Sequence, residues 1–293
     1  MKVAIYGQVL AQDDVTYVNE LLETLFLEKA EVAIEIDFLK QYISYNGTSD
    51  YSSFSQNEGL DASFDLFVSF GGDGTMLRAI SYVGKLGIPI VGVNTGRLGF
   101  LSTFKKGDVR KVVTEFVAGA FTIEERSMVE ICTASHINDF DQLNFALNEI
   151  TVSRKDTTSM ITVETFLNGE YLTNYWADGL IIATPTGSTG YSLSCGGPVI
   201  APTTKSFVLT PIAPHNLNAR PFVISDDTVI KLKVSGREEN HLVSLDSRIA
   251  TIPNGQEIII QKSPYAINMV AYKSESFLKT LRNKLLWGED RRN

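Results

Sequence analysis

Residues Leu66–Ile80 read "LFVSFGGDGTMLRAI". The first five, with Phe64 and Asp65 before them, form a short and almost wholly apolar run, the pattern of a strand buried on both faces. Three glycines then surround an acid, and Met76, Leu77, Ile80 and Val83 follow at helical spacing. Strand, glycine loop and helix in that order are one unit of a parallel sheet, whose ligands gather beyond the carboxyl ends of its strands. The acid is the anomaly. A glycine loop at a helix start accepts anions, and Asp73 is itself an anion.

The same alternation extends on either side. Lys2–Tyr6 reads as a first strand. "DDVTYVNELLETLFLEK" places Val15, Val18, Leu22, Leu25 and Phe26 on one helical face, with Asp13 or Asp14 as cap. "EVAIEIDFL" reads as a second strand and "IPIVGVN" as another. Residues 40–63, rich in Ser, Asn, Gly and Tyr without a usable period, are expected to form a mobile loop. After about Phe121 the texture changes to strand-like runs joined by turns. Asn168-Gly169 is a two-residue hairpin signal and Asn254-Gly255 a second turn. The tail "SESFLKTLRNKLLW" returns to helical spacing through Phe277, Leu281 and Leu285, with Ser274 as its expected cap. The expected fold is therefore α/β + β. A Rossmann-like parallel-sheet domain, residues 1–120 plus 272–293, carries the glycine loop. An antiparallel β-sandwich domain spans 121–271, and the last helix returns to the first domain.

Composition narrows the functional classes. The chain has 293 residues, 44% hydrophobic and 20% charged, with a formal net charge of −8. That balance repels a nucleic-acid backbone. No apolar run approaches the roughly 18–20 residues of a membrane span, and the amino terminus reads as a strand rather than a signal peptide. Cys132 and Cys195 are too few for a disulfide framework or a cysteine zinc site, which suits a cytoplasmic protein. His136, His215 and His241 have no metal-ligand spacing, so no protein-held metal site is expected.

The Walker pattern, the dinucleotide pattern G-x-G-x-x-G and the hydrolase elbow G-x-S-x-G are all absent. What remains is "GGDGT", Gly71–Thr75. Gly71, Gly72 and Gly74 permit positive φ and close approach of a ligand to backbone. Thr75 is expected to cap the following helix, leaving its free N–H groups for phosphate. Asp73 would face an accepting hydroxyl, with Arg78 or Arg97 as the cation for the donor phosphates. "NTGRLGFL", Asn94–Leu101, follows the next strand and repeats the logic. Asn148-Glu149 offers an amide and a carboxylate for hydroxyl or adenine-edge hydrogen bonds. In "ADGLIIATPTGSTGYSLSCGGPVIAP", small hydroxyl side chains alternate with glycines, which suits a polar ligand lying close to backbone.

These motifs, with "LNEITV" and "PIAPHNLNARP", resemble the NAD kinases in their order and spacing over most of the chain. GGDGT alone is shared with diacylglycerol and sphingosine kinases; its combination with TPTGSTGYSLS and GGP is far more specific. The resemblance implies ATP-dependent phosphoryl transfer to the 2′-hydroxyl of the adenosine ribose of NAD, giving NADP. It implies a divalent cation, Mg2+, with the triphosphate, inorganic polyphosphate as an alternative donor, and a homo-oligomer, dimer or tetramer, with NAD contacted partly across a subunit interface. By the same resemblance Asp73 is the general base, with Gly74 beside it and Arg78 among the NAD contacts. Asn148 and Glu149 are the ribose and adenine contacts and Asp178 the nicotinamide-side contact. The loop Thr189, Gly190, Tyr191, Ser192, Leu193 and Ser194 lies on the adenine side, and Thr186 and Ala213 are further NAD contacts. Gly71, Gly72, Thr75, Arg97 and Arg248 are the phosphate candidates. Trp176 stands where some members have Arg, and Arg248 where many have Gln. A lipid kinase and a dinucleotide sensor without turnover are the alternative readings.

Overall fold

The computed structural model describes residues 1–47, 49–132, 140, 143–156, 159–216, 218–272 and 276–286. His136 and Ser274 lie outside them. The chain forms two compact units, Met1–Glu125 with Ile267–Asn293, and Arg126–Ala266.

The first unit is built on a parallel sheet. Its strands are β1 (Lys2–Gly7), β2 (Glu31–Glu35), β3 (Ser52–Phe54), β4 (Leu66–Phe70), β5 (Ile90–Asn94) and the short β6 (Phe104–Lys105). The order is β5-β4-β1-β2-β3, with Met269 of the last strand pairing in parallel with Ile90 of β5. Every residue of β4 and β5 is buried, because helices cover both faces. On one face Leu66, Val68 and Phe70 join Val18, Leu21 and Leu25 of helix α1 (Val15–Leu27) and Val109, Val112 and Val113 of a later helix, Val109–Val117. On the other, Phe67 packs with Phe54 and Tyr82.

Phe26 is exposed, since the buried stripe of α1 runs through Leu21 instead. Asp14 makes no capping bond; its carboxylate accepts from Lys106 Nζ at 2.6 Å. The strand expected over 31–39 ends at Glu35, where α2 (Ile36–Asn46) takes over, and the expected mobile loop over 40–63 holds the rest of that helix and β3. Glu35 starts α2, its Oε2 accepting from the amides of Asp37 and Phe38, both at 3.0 Å. At the tail, Phe277–Leu285 is helical and Ser276 is its cap, accepting from the Lys279 amide. This helix belongs to the first unit, with the Phe277 ring 6.4 Å from that of Phe100. No helix among the described residues is long and apolar enough to cross a membrane.

The second unit is an antiparallel sandwich. One sheet contains β7 (Phe121–Ile131), β8 (Phe145–Ala146), β10 (Ile161–Leu167), β11 (Glu170–Ala177), β15 (Ile230–Ser235) and the first part of β18 (Glu257–Tyr272). The other runs β14-β13-β12-β9-β16-β17. These are β9 (Glu149–Arg154), β12 (Gly179–Ala183), β13 (Ser206–Ile212), β14 (Phe222–Ser225), β16 (Asn240–Leu245) and β17 (Arg248–Pro253). Asn168 and Gly169, with φ of 50° and 84°, make the β10–β11 turn that the sequence calls for. Between the sheets lie Ile150, Val152, Leu180, Ile182, Val163 and Leu232 among others. Ile181 and Ala183 point the other way, against Ile200 and Val208. Strand β12 is thus covered on both faces, and the hydroxyl-rich segment after it lies on the outer one.

Candidate functional site

The glycine loop of the first unit follows β4, and the loop after β5 leaves the same sheet edge, since Phe70 and Val93 are paired. Helix α3 (Asp73–Val83) starts three residues earlier than a cap at Thr75 implies, with Gly72 in the capping position. Thr75 is therefore inside the first turn, and it is Gly71, not Gly72, whose φ of 152° requires glycine. A Cβ on Gly71 would also meet Thr75 Oγ1 at 2.4 Å.

Asp73 is held by the neighbouring loop. Its Oδ1 accepts from the amides of Leu101 at 3.0 Å and Ser102 at 2.9 Å, and its Oδ2 from that of Phe100 at 2.8 Å. "NTGRLGFL" does not start a second phosphate-binding helix. Asn94 turns the chain by accepting from the Gly96 amide, Arg97 is exposed, and the segment folds back to grip the carboxylate. A carboxylate has about four lone-pair sites; three are filled, and the open one is on Oδ2. Arg78 is one turn along α3. With the Gln8 amide turned to satisfy its neighbours, Gln8 accepts from Arg78 Nε at 2.7 Å and Nη1 at 2.8 Å and donates to Thr75 Oγ1 at 3.1 Å. Gln8 had no signal in the sequence beyond its place at the end of β1.

In the second unit, Asn148-Glu149 is wrapped by the segment Thr184–Tyr191. Thr184 Oγ1 donates to Leu147 O at 2.5 Å and its amide to Asn148 O at 2.9 Å. A Cβ on Gly187 would fall 2.1 Å from Asn148 O. Most of the hydroxyls read as ligand donors are spent on the fold: Ser188 on Pro185 O, Thr189 on Thr186 O, Ser192 on Thr210 Oγ1. Two buried oxygens stay unpartnered, Asn148 Oδ1 and Glu149 Oε2. Burial, reinforced by the Asp246 carboxylate, pushes the Glu149 carboxyl up to about 8, against the pull of the Tyr191 amide.

Asp178 sits apart from this pair. Ala183 is paired with Glu149 at one end of β12 and Gly179 with Ser153 at the other, so Asp178 lies about 16 Å along the strand at roughly 3.3 Å per residue. Its Oδ1 is 2.9 Å from Arg154 Nη1. Beside it Trp176 packs at a tilt against His215, ring centroids 4.4 Å apart, and lines a cavity of about 430 Å³ together with Asn174, Pro214 and Arg220. Ala213 holds a left-handed φ of 44°. Arg248 departs from its expected role: its Nη1 and Nη2 donate to the carbonyls of Leu143 and Phe145 rather than standing free for an anion. Asp246, which sequence reasoning missed, accepts from the amides of Leu147, Asn148 and Glu149.

Comparison with known proteins now bears on this geometry. Residues 13–121 match the ATP-NAD kinase N-terminal domain and residues 147–272 the ATP-NAD kinase C-terminal domain. The chain belongs to the NAD kinase family. It is 58% identical to an NAD kinase of Christiangramia forsetii over all of both chains, and 41% identical to one of Cytophaga hutchinsonii over 99% of each. Among solved structures, yeast NADH kinase complexed with NADH superposes with a TM-score of 0.86 at 25% identity, covering 99% of this chain and 89% of that one. An Archaeoglobus fulgidus NAD kinase in complex with ATP gives 0.76 at 28% identity, covering 98% and 99%.

Proposed function

We propose that this NAD kinase family enzyme transfers the terminal phosphoryl group of ATP to the 2′-hydroxyl of the adenosine ribose of NAD, forming NADP. The observation that carries the assignment of roles is the cradle of Asp73. Three backbone amides fix the carboxylate and leave one lone pair of Oδ2 for an incoming hydroxyl. Phosphoryl transfer asks the protein mainly for position and charge neutralisation. Asp73 orients the acceptor hydroxyl and takes its proton late, once bond formation has made that hydroxyl acidic. The amino-terminal end of α3 and the Gln8-held guanidinium of Arg78 serve the donor phosphates.

In the second unit Asn148 and Glu149 offer their unpartnered oxygens to the dinucleotide. Asp178, at the far end of β12, suits the other end of an extended ligand. The NADH bound to the yeast relative and the ATP bound to the Archaeoglobus relative support both substrates. Among the described residues no cluster of three or more His, Cys, Asp and Glu forms a cation cage. Magnesium would enter with the triphosphate as part of the substrate, its ligands chiefly phosphate oxygens and water. Two free cysteines accord with a reducing cytoplasm. Exposed Tyr171 and Trp176 on edge strand β11, with Phe222 and Val223 on edge strand β14, support self-association.

The test is a coupled assay of purified protein with NAD, magnesium and either ATP or polyphosphate, beside light scattering for the oligomer. NADP formation with ATP is the expected result. Absence of NADP with both donors rejects the assignment.

A further inference from the structure

The two unpartnered oxygens of Asn148 and Glu149 sit where a largely irregular segment, Leu143–Asn148, with only the two-residue strand Phe145–Ala146 inside it, runs into β9 at Glu149. Irregular backbone costs about 1–2 kcal/mol per residue to fix, so something must hold it. A single turn, Leu245–Arg248, does so from both sides. On the N–H side, Asp246 accepts from Leu147 at 2.9 Å, Asn148 at 2.8 Å and Glu149 at 3.2 Å. On the C=O side, Arg248 donates to Leu143 and Phe145, its guanidinium lying 5.7 Å from the Phe145 ring centre. The Asp246 amide closes the arrangement on Glu149 O at 3.0 Å. Asp246 adopts a left-handed φ of 51°, a conformation retained only where the surroundings repay it.

We propose that Arg248, acting with Asp246, is a positioning residue for the dinucleotide. The two charges of this turn lock the Leu143–Glu149 backbone so that Asn148 and Glu149 meet NAD already oriented. This rests on the reading of Asn148 and Glu149 as NAD contacts. The planar fork of arginine can bridge two carbonyls in fixed directions, which a lysine ammonium cannot. Binding to a preordered segment avoids the ordering cost at the moment of association.

The experiment compares wild type, Asn148→Ala, Arg248→Gln and Arg248→Lys as full-length proteins. It reads NAD affinity by calorimetry, KM for NAD and for ATP, kcat, and hydrogen exchange at the amides of residues 147–149. Both Arg248 variants are expected to weaken NAD binding about tenfold, the scale of the ordering cost that association would then have to bear. KM for ATP stays within twofold, kcat changes little, and the 147–149 amides exchange faster. Arg248→Lys keeps charge and stem, and serves if Arg248→Gln does not fold. If Asn148→Ala weakens NAD binding while a folded Arg248 variant leaves both affinity and exchange unchanged, the positioning role is overturned alone. If Asn148→Ala itself leaves NAD affinity unchanged, the underlying reading falls and the positioning role with it. Equal rises in KM for NAD and for ATP would mark general loosening and likewise overturn it.

Discussion

Gly99 presses its backbone against the Asp73 carboxylate so closely that a Cβ there would lie 1.7 Å from Oδ1. The approach is what lets the amides of residues 100–102 reach that carboxylate. Gly99→Ala must displace either the loop or the acid, and each breaks the cradle. A misplacement of about 1 Å costs on the order of 100-fold in rate, so kcat should fall by about that factor while NAD still binds. Steady-state kinetics beside thermal melts will check it; a kcat close to wild type would show that the cradle has no catalytic consequence.

Asp73→Asn probes the same carboxylate chemically. Both oxygens accept backbone N–H groups, so an amide NH2 in either place faces at least one donor. The expected outcome is loss of NADP formation with NAD binding retained, and about 1–3 kcal/mol of stability lost to the unsatisfied pair. Calorimetric NAD binding, the coupled assay and denaturant unfolding report these separately. Near-normal turnover would remove Asp73 from the chemistry.

What the sequence disclosed, and what it hid, follows from where the signal resides. Solid apolar runs such as Leu66–Phe70 and Gly179–Ala183 announce strands covered on both faces, because burial acts on side chains. Asn168-Gly169 announces its turn because both positions need positive φ. Helix α2 was hidden: of its eleven residues only Phe38 and Leu39 are buried, and its cap, Glu35, sits inside a strand-like run. The partners of Asp73 were invisible because they are backbone amides nearly thirty residues away, and an amide looks alike in every sequence. The hydroxyl-rich segment misled in part, since its composition could not show that Ser188, Thr189 and Ser192 satisfy the fold itself.

Glu149 links the second unit to pH. Its carboxyl is raised from 4.5 to about 8, so between those values the folded state holds a proton that the unfolded state releases. Its contribution to stability is complete below about pH 4.5 and is lost as pH rises through about 8. His241, lowered by burial, works in the opposite direction, and its contribution is lost as pH falls below 6.5. Comparing wild type with Glu149→Gln isolates the first effect. The ligand-free variant should show a flatter stability profile from pH 5 to 8 and be the more stable protein at pH 8.5. Parallel profiles from denaturant unfolding would contradict a raised Glu149.

Thr184 is fully buried and its hydroxyl both donates to Leu147 O and accepts from the Gly187 amide at 3.2 Å. Thr184→Val keeps the shape and strands two backbone groups. Unsatisfied buried groups cost about 1–3 kcal/mol each, so a loss of a few kcal/mol in unfolding free energy is expected, together with weaker NAD binding because Asn148 is anchored through the same strap. A change within 0.5 kcal/mol, a typical surface effect, would mean that the strap is not structural.

The Arg154–Asp178 pair separates stability from function most sharply. Both side chains keep between a quarter and a third of their surface in contact with solvent, and such pairs contribute about 0–1 kcal/mol. Arg154→Met should therefore barely alter the melting temperature. If Asp178 meets the far end of the dinucleotide, however, its carboxylate must be aimed, and Arg154 Nη1 at 2.9 Å does the aiming. The variant is expected to raise KM for NAD several-fold with kcat and KM for ATP little changed. The contrast can be read in one kinetic series with the two substrates varied in turn. An unchanged KM for NAD would leave Arg154 as a surface ion pair and free Asp178 of any need for it.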